Sequence, residues 1–252
     1  MEGLHLFSAE QWTPLAYFGL TDPIFALDRT ILIHTWIMML MIAALVGIIR
    51  FFVSRHHAVI YFLATSFAHY FVDTTVQTLG TFSFAHFSFV TSIFIFLSFA
   101  NTLAIIPYLE EPSTNLNTTL ALGIIAFLYI QAYAIKHHGW WAYIKDYFSP
   151  FFLMFPLHVM GKLATIISMS FRLFGNIFGG STITHIYMGL IKSSVLIEVV
   201  GLLGPNLGIT LFFGIFEGLL QAFVFAMLTM TYLSIAIQEE EHEPQAIAKE
   251  AA

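Results

Sequence analysis

The chain has no cysteine, so disulfides, thiolate metal sites and cysteine nucleophiles are excluded. It is also poor in charge. Only 10% of its 252 residues are Asp, Glu, Lys or Arg, against roughly a quarter in soluble domains. The first 28 residues carry no Lys or Arg, which excludes a signal-peptide n-region and an Arg-rich transit peptide. No basic patch exists that would bind nucleic acid, and no internal repeat is visible. Gly175 and Gly179 are not followed by the lysine that a phosphate loop needs. The adjacent pairs His56-His57 and His137-His138 lack the i,i+4 spacing of helix-borne metal ligands. No nucleophile–base constellation accompanies His69, Asp73 or Asp146. No metal, cofactor or catalytic residue is therefore expected.

What is present is apolar sequence. Hydrophobic residues make up 58% of the chain, and mean hydropathy is +0.83. Long continuous apolar runs, not short alternating ones, read as an all-α integral membrane protein. We expect one membrane domain over residues 1–252, with about five transmembrane helices. Residues 1–28 form an N-terminal interfacial segment. Spans follow at 31–53, 84–107 and 117–135, then long helices at 156–192 and 194–238, and a soluble acidic tail at 239–252. Residues 58–80, interrupted by His69, Asp73 and Gln77, read as an interfacial or partner-packed segment. The fifth helix would be roughly 55 Å long at 1.5 Å per residue. The hydrocarbon core is only about 30 Å thick, so such a helix must tilt strongly or break. Lys and Arg near span ends place the N-terminus outside and the C-terminus inside.

Inside these runs sit a few ionisable groups. Arg172 has no charged neighbour between Lys162 and Lys192. An arginine in hydrocarbon costs at least roughly 2.5–3.5 kcal/mol on insertion scales, and it does not shed its proton. Such a residue is a functional-site candidate whose natural partner is a carboxylate. On an ideal helix Asn176 and His158 fall roughly 40° from Arg172, and His185 roughly 140° away. Glu217 and Gln221 are i,i+4 neighbours on one face of the last helix. Helix–helix glue is the simpler reading for Ser168, Ser170, Asn101, Thr210 and Thr229. The combination of Arg172, Glu217, His158 and His185 points to a polar seam for ions. Two other classes fit as well: a secondary transporter or channel with an intramembrane Arg–Glu pair, and a structural subunit of a membrane complex.

The run Arg172-Leu173-Phe174-Gly175-Asn176, together with Leu220-Gln221-Ala222-Phe223-Val224-Phe225, resembles subunit a of F-type ATP synthases. Asn101 with Pro107, and the stretch from Pro112 to Leu122, extend the resemblance over about residues 90–237. The resemblance implies a non-catalytic stator subunit whose last two helices form a tilted hairpin against a ring of c subunits. A b-type peripheral stalk and the rest of the synthase would be its partners. The membrane would be energy-transducing, either a bacterial plasma membrane or a mitochondrial inner membrane. It also implies proton translocation through two offset half-channels separated by Arg172, with Asn176, Gln221 and Ser168 matching polar family positions. The sequence departs from the family at Ser181, where Glu or His is usual, and His185 lies one turn further on. It departs at Gly214, with Glu217 nearby; at His158, where Glu is frequent; and at Asn115, where Asp is common. Glu217, His185 and His158 are thus ion-path candidates, and Asn101, Asn115, Asn117 and Ser181 are secondary polar candidates.

Overall fold

The computed structural model describes residues 11–12, 27–103, 111–148, 152–191 and 208–238. Helices dominate. They are α1 (Arg29–Ser54), α2 (Ala58–Leu79), α3 (Phe84–Thr102), α4 (Leu116–His138), α5 (Trp140–Asp146) and α6 (Phe155–Ile191). A π-helical segment, Thr210–Glu217, then runs directly into α7 (Gly218–Gln238). The strand content among the described residues is one two-residue antiparallel pair, Gln11–Trp12 with Leu27–Asp28. Five helices are long and apolar enough to cross a membrane: α1, α3, α4, α6 and the π–α7 helix. The fold is all-α, as the composition implies. The expected end of the second span at Pro107, the start of the last run at 194–207, most of residues 1–28 and the tail at 239–252 lie outside the described residues.

Local chemistry explains the boundaries. Asn115 caps α4: its Oδ1 accepts the Asn117 N–H at 2.9 Å, meeting one of the donors that a helix start leaves free. α4 ends at Gly139, whose φ of 83° suits glycine, and Lys136, His137 and His138 fill its last turn. α6 is one continuous helix of 37 residues with Gly175, Gly179 and Gly180 inside it. The glycines that mark a weak point in the sequence do not interrupt it. α2 is a helix of 22 residues that does not meet the span criteria.

The core gathers around α7. Ala222, Ala226, Met230 and Leu233 are fully buried and recur at helical spacing, so one stripe of α7 faces inward. One apolar cluster joins Ile93 and Leu97 of α3, Ala126 of α4, Met169, Leu173 and Ile177 of α6, and Ala222 and Phe225 of α7. A second joins Phe71 of α2, Val90 of α3, and Ala226 and Met230. Small residues at the crossings let backbones approach, as membrane helices require. Two polar ties hold the far end of α7. Ser234 Oγ donates to the Thr78 carbonyl at 2.7 Å, and His138 Nε2 lies 2.9 Å from the Ala236 carbonyl. Outside, Trp36, Leu40, Val59, Phe62 and Leu128 are exposed, a surface suited to lipid and not to water.

Gly123 of α4 shows how tight the α4–α6 crossing is. A Cβ there would collide with Ser170 Oγ and reach within 3.3 Å of Ile166 Cγ2. Gly123→Leu is expected to destabilise the fold by about 1–3 kcal/mol through overpacking. The check is the thermal denaturation midpoint of the purified protein in detergent, which should fall.

Candidate functional site

The inward face of α6 carries Ile166, Met169, Ser170, Leu173, Ile177 and Gly180, all buried. Arg172 precedes Leu173 and therefore points roughly 100° away from that face. Its side chain is exposed. Among the described residues it has no ion pair or hydrogen bond, although the helix around it is apolar on both sides. Gly161, Ala164, Ser168 and Gly175 share this outward side and are also exposed, and Gly179 beside them is half-buried. The result is a permanent charge set in a strip of small side chains along a membrane helix. Asn176 sits between this strip and the core and is half-buried.

The neighbouring helix supplies the second half of the site. Leu173 and Ile177 share a cluster with Ala222, so Arg172 and Gln221 stand at the same level of the bundle. Gln221 is buried, and its Nε2 donates to Glu217 Oε1 at 2.9 Å. Glu217 is half-buried. It is the last residue of the π segment, and Gly218 begins regular α-helix. π segments concentrate at functional sites because the wider turn redirects side chains. At the junction Asn101 Nδ2 donates to the Gly218 carbonyl at 2.9 Å, and Gly218 is small enough to admit it. The structure thus brings Gln221, Glu217 and Asn101 together at the start of α7, while Arg172 and Asn176 lie on α6, whose inward face packs against α7.

Other candidates fall elsewhere. His158 lies at the start of α6, where its Nδ1 is 3.2 Å from the Tyr147 carbonyl, so a protonated Nδ1 donates to that oxygen. It belongs to a cluster at the end of the bundle shared by α4, α5 and α6. There Tyr143 donates to Gln131 Oε1, the Tyr143 and Tyr147 hydroxyls are 2.6 Å apart, and Lys162 Nζ lies 4.1 Å from the Tyr147 ring centroid. Ser168 is on the exposed strip, and Ser181 is half-buried on α6. Asn115 and Asn117 form the α4 cap described above. The position of His185 is helical, but its side chain lies outside the described residues.

Sequence reasoning passed over two features. One is the Tyr143–Tyr147–Lys162 cluster, whose members look merely interfacial when read in order. The other is Glu111, between α3 and α4. Its side chain is buried, and burial alone pushes its carboxyl from an ordinary 4.5 up to about 8.

A helical bundle with five helices long and apolar enough to cross a membrane, an arginine exposed midway along one of them and a hydrogen-bonded Gln221–Glu217 pair on another defines a polytopic membrane protein. The family described as ATP synthase A chain matches residues 32–234, and the chain belongs to that family. A Desulforamulus reducens protein named ATP synthase subunit a is 38% identical over 154 residues, covering 61% of this chain and 58% of the relative. A Picosynechococcus protein named ATP synthase subunit a 2 is 32% identical over 165 residues, 66% of each chain. A Propionigenium modestum protein named ATP synthase subunit a, sodium ion specific, is 30% identical over 185 residues, covering 68% of this chain and 61% of the relative. The matched stretches therefore span less than two thirds of these relatives.

The buried Glu111 carboxyl makes a pH prediction. Its pKa is raised on folding, so its contribution to stability is fully present below about pH 4.5 and is lost as pH rises through about 8. The protection of the 113–115 amides, with the intrinsic pH dependence of exchange divided out, should fall over that window in the wild type. Glu111→Gln should flatten the dependence.

Proposed function

We propose that this chain is the proton-translocating stator subunit a of an F-type ATP synthase. The observation that carries the reading is the unpaired Arg172 on an outward strip of small residues. A guanidinium in the membrane needs a carboxylate, and none of the described residues provides one. An autonomous transporter with an internal Arg–Glu pair would bury that pair within the chain. Here Glu217 is bonded to Gln221 instead. The carboxylate is then expected on another subunit, and the small side chains permit the close helix approach that would bring it in. A rotating ring of c subunits, each bearing an ion-binding carboxylate, fits that requirement. A b-type peripheral stalk would hold this chain static against it.

In this reading α6 and the π–α7 helix cross the membrane as a tilted hairpin facing the ring. Arg172 attracts each arriving carboxylate in its ionised form and lowers its pKa, so the carried proton leaves. The same fixed positive charge repels cations and separates two half-channels. Gln221, Asn176 and Ser168 line the region around it. Glu217 and His185 serve the outer half-channel, and His158 lies toward the inner exit. The short turn from α1 into α2, at Arg55 to His57, and the Lys136–Lys145–Lys162 end of the bundle would share the inner side, with the N-terminus outside and the C-terminus inside. Residues of this chain perform no ATP chemistry; that belongs to partner subunits. The membrane is an energy-transducing one, with a bacterial plasma membrane the first expectation.

Moving one charge through 100 mV is worth roughly 2.3 kcal/mol, so each ATP requires several ions. A ring that presents carboxylates in succession meets that demand. The expected result for Arg172→Ala is loss of ATP-driven acidification of membrane vesicles while the complex remains assembled. Arg172→Lys should fail as well, because the compact, strongly hydrated ammonium replaces a planar, weakly hydrated cation. Normal pumping by Arg172→Ala would remove the proposal. Acidification that requires added sodium ion would replace the proton by sodium as the coupling ion.

A further inference from the structure

We infer that Asn101 is a positioning residue: its side-chain amide clamps the junction between the π segment and α7, and so sets the register in which the π segment packs against α6. Its functional half rests on the reading of α6 and the π–α7 helix as the walls of the ion path.

Four observations support it. Asn101 is fully buried, so it presents no surface to an aqueous path. Its one donor contact spans 117 positions of sequence and ends on the backbone of Gly218, the first residue after the π segment. Gly218 packs tightly there: a Cβ would lie 3.0 Å from Asn101 Cβ and 3.2 Å from the Asn101 carbonyl oxygen, so Asn101 would have to give way to admit one. The π segment itself, Thr-Leu-Phe-Phe-Gly-Ile-Phe-Glu, has no local chemistry that demands the wider turn. π-helix is rare compared with α-helix, so a stretch of eight residues needs tertiary restraint. Asn101 supplies it from α3 at the C-terminal end of the segment. On α6, Gly180 faces Phe213 in the middle of the segment, where a Cβ would stand 2.9 Å from Phe213 Cβ.

The physical consequence of releasing the clamp is specific. Relaxation of the π segment to α-helix removes the extra residue from the turn. Residues on its N-terminal side then rotate by roughly 100° relative to α7. Phe213 leaves Gly180, and a neighbour takes its place. Glu217, already at ordinary helical spacing from Gln221, keeps its bond to that residue, so the shift is between the π segment and α6. A purely packing role for Asn101 would lower stability and leave the register alone.

The absence of cysteine makes the register directly measurable. In the assembled complex, Gly180→Cys with Phe213→Cys should form a disulfide on mild oxidation. Disulfides need Cβ atoms about 3.5–4.5 Å apart, within a small adjustment of the present spacing. Gly180→Cys paired with Phe212→Cys or with Gly214→Cys should crosslink poorly. Asn101→Leu, near in size, removes both the donor and the Oδ1 atom that has no partner among the described residues. In that background the 180–213 yield should fall roughly fivefold, the scale set by one neutral hydrogen bond, and one of the neighbouring pairs should gain. Asn101→Ala serves if the leucine variant does not assemble. An unchanged crosslink pattern in the assembled variants overturns the clamp. A shifted pattern supports it, and ATP-driven acidification of Asn101→Leu vesicles, measured without the cysteines, then tests the second step. Reduced pumping ties the register to the ion path. Full pumping with a shifted register leaves the clamp standing and removes its tie to the ion path.

Discussion

A charge that cannot be neutralised must be compensated wherever hydrocarbon surrounds it, and this bundle is arranged around that constraint. Arg172 does not turn inward toward the core, where Leu173 and Ile177 pack against α3, α4 and α7. It does not lie near a helix end from which it could snorkel to water. It stands mid-helix on the outward side, among glycine, alanine and serine. On the function proposed above, the cost of that placement is recovered when another subunit supplies a carboxylate and excludes lipid.

The rest of the fold keeps that charge at a fixed height. α7 acts as the central post because its inward stripe is small where helices cross and larger further along. Alanines at 222 and 226 admit α3 and α4, and Met230 and Leu233 fill the space beyond. α6 is held against α4 at Gly123–Ser170 and against the π segment at Gly180–Phe213, contacts that leave no room for a side chain at either glycine. The Glu217–Gln221 pair is placed by the same packing. Its position is a property of α3, the π segment and α7 together, not of α7 alone.

Much of this was legible in the amino-acid order. Low charge and long apolar runs gave the all-α membrane class, and the isolation of Arg172 between Lys162 and Lys192 marked that residue as a candidate. The i,i+4 relation of Glu217 and Gln221 also survived, as a hydrogen bond. The π segment was not legible, because nothing in its residues distinguishes a wide turn from an ordinary one; the reason for it sits on another helix. For the same reason Asn101 and Asn115 looked alike as polar residues near a span. One closes a tertiary contact at Gly218 and the other caps its own helix. The partnership of Tyr143, Tyr147 and Lys162 arises from the turn at Gly139, which folds α5 back onto α4 and α6.

The outward strip on α6 has a consequence for the life of the chain in the cell. If a partner covers that strip, as proposed above, a solitary copy keeps an uncompensated cation and a furrow of small side chains turned toward lipid, the kind of surface that membrane quality control would treat as unfinished. Its abundance is then coupled to the supply of the surface that covers it. Changes along Gly161, Ala164, Ser168, Gly175 and Gly179 will register first as fewer copies surviving to assembly, before any copy that does assemble works more slowly.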